Sequence, residues 1–224
     1  MYNQRPVVHN PQPPSKNIIK VTGEGEIAVQ PDTASVNLGV VTESKELIEA
    51  QHQNSIIGKK VIDSLIALGI DKNQIQTFDY RIESDYDYDQ GKQIFRGYKI
   101  TQILQVKLED LSIIGKVVDT AVQNGANYVA NIQFTIKYKE AYYQQALALA
   151  LKNANNKATT IANTIKVNLN PTPILVTEVR DTIQPFETHQ IAFAKGVSST
   201  QIEPGQLVIK AHVLTEYKYH SING

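Results

Sequence analysis

The chain contains no cysteine, which excludes disulfides, thiolate metal sites and a cysteine nucleophile and leaves the redox compartment open. It carries no net charge either, because 22 Lys and Arg residues balance 22 Asp and Glu residues. No global field therefore gathers nucleic acid or an anionic membrane surface, and such a partner would need a local patch. No stretch reaches the roughly 18 uninterrupted apolar residues of a membrane-spanning helix, so no transmembrane segment is expected. The opening residues, MYNQRPVVHNPQPPSK, lack the apolar core and small-residue cleavage site of a secretory signal, which points to a cytoplasmic location. Their proline and amide content favours extended or disordered backbone over a packed element.

What is present is 224 residues, enough for one large domain or two intimately packed smaller ones. Near the start, Gly23-Glu24-Gly25-Glu26 has the look of a phosphate-cradling loop. Such a loop needs a strand before it and a helix beginning at it, so that the helix N-terminus faces the phosphate. The order here is different. Ile27 and Val29 alternate with polar neighbours, Pro31-Asp32 supplies a turn, and Ala34, Val36, Leu38 and Val40 alternate again. The glycines therefore belong to a strand at about Ile18 to Gln30, where another backbone approaches closely.

Hydrophobic spacing sets out the rest. A helix is expected from about Ser44, which can cap it, to Leu68, with Leu47, Ala50, Ile57, Val61, Leu65 and Leu68 on its apolar side and Gly69 as its stop. Strands follow at Thr77 to Tyr88 and Gln93 to Leu108, joined by a hairpin loop at Asp89 to Lys92. A second helix spans Asp110 to Asn124, with Leu111, Ile114, Val118 and Ala121 on one face, and Ile132, Phe134 and Ile136 mark another strand. The order of strand, helix, strand, strand, helix, strand predicts an α+β fold: a ferredoxin-like βαββαβ unit at residues 33–138, packed with a second, smaller α/β layer. That layer takes residues 17–32 and 139–219, including a helix at about Lys139 to Lys166 and strands at Ile174 to Val179 and Gln206 to Tyr219. Residues 1–16 and 220–224 are tails.

No complete catalytic or ligand-binding constellation is present. Asp85, Asp87 and Asp89 open like a calcium loop, but Gln90 stands where the turn glycine belongs and Arg96 where the bidentate glutamate belongs. The alternation places the three aspartates on one face of a hairpin end and Tyr86 and Tyr88 on the other. Arg96-Gly97-Tyr98 opens like an RNA-recognition strand, yet Ile100 and Ile103 follow where stacking aromatics are needed, so no nucleic acid is expected. His9, His52, His189, His212 and His220 form no metal pair at helical or strand spacing, and neither metal nor cofactor is expected. No G-x-S-x-G elbow accompanies the serines.

Several stretches, taken in order, resemble the SIMPL domain family: VTGEGEIAVQPDTASVNLGVVTES, ALGIDKNQIQTFDYRIESDYDY, GYKITQILQVKLEDLSIIGKVVDTAVQNGAN, ALALALKNANNKATTIA and IEPGQLVIKAHVLTEY. The resemblance covers roughly residues 17–219. It implies a bacterial protein without an assigned enzymatic activity, in a family whose members are mostly secreted or envelope proteins and of which some form large ring-like or channel-like homo-oligomers. An envelope or surface location is thus the alternative to the cytoplasm.

The expected function is non-enzymatic self-assembly as a structural or scaffold protein. The alternatives are an enzyme or small-ligand binder using a groove between the two layers, and an adaptor for another protein. Three places are expected to carry a subunit contact. Tyr86 and Tyr88 sit on a hairpin edge, and unpaired edges invite association. Phe186, Ile191 and Phe193 lie in a long irregular stretch, and such loops tend to be functional. Val7 and Val8 are apolar residues in the proline-stiffened tail, positioned to dock on a neighbour.

Overall fold

The computed structural model describes residues 17–89, 91–179 and 200–221. Val7, Val8, Phe186, Ile191 and Phe193 lie outside the described residues, as do His9 and His189. The elements run β1 (Ile18–Val29), β2 (Thr33–Ser44), α1 (Leu47–Ala67), β3 (Ile75–Asp89), β4 (Lys92–Leu108), α2 (Ile114–Gln123), β5 (Tyr128–Thr135), α3 (Lys139–Thr164), β6 (Val167–Leu169), β7 (Leu175–Val179) and β8 (Leu207–Ser221). This is an α+β fold, and its chain divides into two compact units. Among the described residues, a central unit takes 28–89, 91–139 and 200–208, and a terminal unit, built from both ends of the chain, takes 17–27, 140–179 and 209–221.

The central unit has the succession β2-α1-β3-β4-α2-β5 and a sheet ordered β3-β4-β2-β5. Each neighbouring pair is antiparallel. Its core follows from period-two alternation on the strands meeting helical spacing on the helices. Val36, Leu38 and Val40 of β2 and Leu104, Val106 and Leu108 of β4 are buried with Val61 and Leu65 of α1 and Ile114, Val117, Val118 and Ala121 of α2. Helix α1 stops at Gly69, whose φ of 102° suits glycine. There Ile70 N–H donates to the Leu65 carbonyl at 3.1 Å and Gly69 N–H to that of Ile66 at 2.9 Å, the paired bonds of a Schellman stop.

Two details of α1 differ from the expected helix. It begins at Leu47, and Ser44 caps nothing: its Oγ accepts from Glu46 N–H at 3.3 Å, outside the first turn. Its buried row is Ala50, Asn54, Gly58, Val61 and Leu65, so two residues without apolar side chains fill places that hydrophobic periodicity cannot see. Asn54 Nδ2 donates to the carbonyls of Val40 at 2.9 Å and Ile100 at 3.3 Å, tying the helix to both central strands.

The second expected helix is shorter, because Leu111–Ile113 form a 3-10 turn capped by Asp110, whose Oδ1 accepts from Ser112 N–H at 2.9 Å. Residues 200–208 join the central unit because Thr200 donates twice to Asp119 of α2, from its N–H at 3.2 Å and its hydroxyl at 2.7 Å. Ile202 then packs on the core.

In the terminal unit β8 is central, with β1 on one side and β6 and β7 on the other. Residues of β1 and β8 meet at Lys20–Glu216 and Glu26–Lys210, and Tyr219 N–H donates to the Asn17 carbonyl. Positions rise in one strand as they fall in the other, so the two run antiparallel. Ile209, Ala211, Val213, Thr215 and Tyr217 form the buried row of β8. Helix α3 buries Ala146, Ala150, Ala154, Ala158 and Ala162, a row repeating every fourth residue. Those alanines explain Gly23 and Gly25. A Cβ on Gly23 would strike the Ala150 carbonyl, and one on Gly25 the Ala146 carbonyl, so helix and strand pack backbone to backbone.

Candidate functional site

A strand at a sheet border leaves a row of unpaired N–H and C=O groups, and a protein either covers that row or uses it. In the terminal unit β1 is such a border, and α3 covers it. Asn153 Oδ1 accepts from the Glu24 N–H at 3.2 Å, and Lys157 Nζ donates to the Thr22 carbonyl at 3.0 Å. One helical turn thus supplies an acceptor and a donor to two consecutive outward-facing groups of the strand. The other borders of that sheet are brief, with three residues in β6 and five in β7.

In the central unit the borders are β5 and β3. Strand β5 has eight residues and is broken by a register shift opposite Ser35 to Asn37, where Asn131 takes a φ of 51°. Such a bulge blunts an edge. Strand β3 is different. It has 15 residues, nearly all exposed, and Phe78, Tyr80, Ile82, Tyr86 and Tyr88 are large apolar or aromatic side chains on it. Phe78 is 60% exposed and Tyr88 75%. Phe78 is itself an extra residue in the ladder with β4, between Thr77 and Asp79, whereas β3 carries no further insertion from Asp79 to Asp89.

Beyond the Ser44–Tyr98 pair, which ends the ladder between β2 and β4, β3 and β4 continue as a two-stranded ribbon. Its second irregularity belongs to β4, where Arg96 is the extra residue between Phe95 and Gly97. The ring of Phe95 meets Tyr86 edge-on at 5.6 Å and Tyr98 edge-on at 5.2 Å, while Ile94 and Phe95 remain exposed. Asp87 accepts an ion pair from Arg96 at 3.4 Å. The ribbon is therefore held by its own aromatic contacts and presents an apolar surface with acidic residues interleaved.

Of the expected contact residues, Tyr86 and Tyr88 stand on this ribbon. Phe78, Tyr80, Ile82, Ile94 and Phe95 were not singled out from the sequence, because apolar residues in a strand read as core until the strand's place in the sheet is known. The one available signal was the βαββαβ order itself, which sends the unit's second strand to a border.

Elsewhere the chemistry is sparse. A shallow groove of about 600 Å³ in the terminal unit is lined by Lys20, Thr22, Asn153, Asn156, Lys157 and Thr160. Both lysines are engaged, Lys157 with Thr22 and Lys20 with Glu216 at 3.0 Å. Among the described residues no three His, Cys, Asp or Glu side chains converge as a metal site, and no helix is long and apolar enough to cross a membrane. His52 and His220 are exposed on the surface. Two exposed groups of the central unit have displaced acidities. Hydrogen bonds from the Ser112 hydroxyl and backbone N–H hold the Asp110 carboxyl below the usual value, and a hydrogen bond to Glu109, with its charge, raises Lys137.

A two-unit α+β protein with one long strand edge uncovered among the described residues is the class these features define. The family model SIMPL, described as a protein of unknown function (DUF541), matches residues 19–217, and the chain belongs to that family. The 26 kDa periplasmic immunogenic protein of Brucella melitensis is 31% identical over 156 residues, covering 67% of this chain and 62% of the relative. The uncharacterized protein YggE of Escherichia coli K12 is 28% identical over 153 residues, covering 68% of this chain and 62% of the relative. YggE of Edwardsiella ictaluri is 26% identical over 187 residues, covering 81% and 77%. The chain thus spans somewhat under two thirds of the first two relatives. None of these names states an activity, and none supports the expected cytoplasmic location.

Proposed function

We propose that this chain is a non-enzymatic, self-assembling structural or scaffold protein that works in the bacterial cell envelope. The observation that carries the reading is the β3 border, a long sheet edge that no other described residue covers, while β1 is closed by α3 and β5 is short and bulged. An open, apolar edge is a liability in a monomer, because it templates pairing with another chain, and becomes useful when a partner occupies it. The envelope location rests on the name of the Brucella relative, which is called periplasmic.

The reading is tested by light scattering on untagged full-length protein over a dilution series. A particle several times the 24.9 kDa chain mass that dissociates on dilution is the expected result. A monomer at every concentration overturns it.

A further inference from the structure

The geometry points to one way of pairing two β3 edges: antiparallel, about a two-fold axis through Tyr80, so that each copy's Asp79 faces the second copy's Arg81. This rests on the self-assembly reading and adds its partner, a second copy of this chain, and its register.

Directly opposed residues of an antiparallel pair share a face of the sheet, and opposite charges there stabilise while like charges destabilise. On β3 the sequence Asp79-Tyr80-Arg81-Ile82-Glu83-Ser84-Asp85 sets charges on alternate residues. An axis on Asp79, Arg81 or Glu83 brings identical charges face to face. An axis on Ile82 pairs Arg81 with Glu83 but sets Asp79 against Asp85. Further along, an axis on Ser84 opposes Glu83 to Asp85, and one on Tyr86 opposes Asp85 to Asp87. Only the axis on Tyr80 creates opposite-charge pairs without a like-charge pair.

That register uses side chains already in place. Within one strand Arg81 Nε lies 2.7 Å from Asp79 Oδ2. Two such pairs brought together head to tail form a closed ring of four alternating charges on one face of the joined sheet. On the other face Tyr80 meets its own copy, an aromatic pair at the symmetry axis, and Ile82 is set beside Phe78 of the second copy, where the bulge ends the regular ladder. Phe78, Tyr80, Arg81 and Ile82 are exposed in the single chain and Asp79 is partly so, and no other described residue has to be displaced before pairing. The joined sheet would run continuously through both central units.

The absence of cysteine makes the register directly measurable. Tyr80→Cys places two thiols face to face at the axis, within disulfide reach. In the same register Ile82→Cys places them four residues apart along the strand, about 13 Å, which is out of reach. Each full-length variant is oxidised under assembling conditions and run on a non-reducing denaturing gel. The expected result is a disulfide dimer from Tyr80→Cys and about tenfold less from Ile82→Cys. Preferential cross-linking of Ile82→Cys, or none from either variant while light scattering still shows assembly, overturns the register and leaves the assembly reading standing. Variants and parent that stay monomeric overturn both. Positions 80 and 82 are exposed, so folding of both variants, checked by circular dichroism, is expected to be unchanged.

Discussion

Strands β1 and β3 each border a four-stranded sheet, yet among the described residues one is sealed and the other is bare. Along β1, Asn153 and Lys157 of α3 take up the Glu24 N–H and the Thr22 carbonyl, and the strand's inner face is pressed so closely on the helix that it needs Gly23 and Gly25. Along β3 no helix reaches the outer border among the described contacts, and Phe78, Tyr80 and Ile82 stand exposed where a monomer would place lysine or proline. The difference teaches that the helix-edge contact, more than strand length or sequence, decides whether a border is available. Strand β1, at 12 residues, is nearly as long as β3, at 15.

The largest effect should come from damaging the open border. Tyr80→Asp would set two like charges face to face at the two-fold axis, weakening assembly by about 3 kcal/mol or more, a factor of a hundred or greater. The monomer's thermal midpoint should hardly move. Sedimentation at matched concentrations checks both halves, and undiminished assembly would take this stretch of β3 out of the interface.

Next comes the closed border. Gly23→Ala or Gly25→Ala drives a methyl group into a backbone carbonyl of α3, which cannot yield as a flexible side chain does. Each substitution should cost about 1–3 kcal/mol in urea unfolding while leaving the Tyr80→Cys cross-link intact in the folded fraction. If either is tolerated without loss, the close approach of α3 to β1 is not the structural constraint it looks like.

A smaller effect should follow from uncovering β1 without moving α3. Asn153→Ala with Lys157→Ala leaves the Glu24 N–H and Thr22 carbonyl to solvent or to a neighbour, at about 1–2 kcal/mol of stability for the two bonds. If open borders pair, the variant should also gain association that Tyr80→Asp does not abolish. No new association would mean that covering β1 serves packing alone.

The smallest effects concern surface charges of the central unit. The Asp110 carboxyl is held below its unfolded value by Ser112, so its contribution is present above about pH 4 and is lost as pH falls through the lower folded value. Lys137 is raised by Glu109, so its contribution is complete below about pH 10 and is lost as pH rises through the higher folded value. Ser112→Ala should therefore differ from the parent at neutral pH and converge on it in acid, whereas Glu109→Gln should converge on it in alkali. Urea midpoints across pH test this, and reversed or parallel profiles would contradict the assignments.

Much of the architecture was legible because it is written in spacing. The positions of β2, β4, α2 and α3 and the stop at Gly69 each rest on a local rule. A period-two or helical repeat, or a residue with φ above zero, suffices to place them. Strand β6 was not legible, since three residues carry no period. The buried places of Asn54 and Gly58 were hidden for a related reason. Burial of a polar amide depends on carbonyls from two other elements, Val40 and Ile100, that no window along the chain contains.

For the candidate site, the sequence by itself determined that β3 would be a strand bearing Tyr86 and Tyr88, that Gly23 and Gly25 would admit a close neighbour, and that the chain belongs among SIMPL proteins. Only the tertiary structure decided that β3 is a border and that β1 is a covered one. Strand identity is set by side-chain alternation within a few residues. Edge status is set by which backbone groups find partners from distant segments, such as Asn153 and Lys157 reaching Glu24 and Thr22 from more than a hundred residues away.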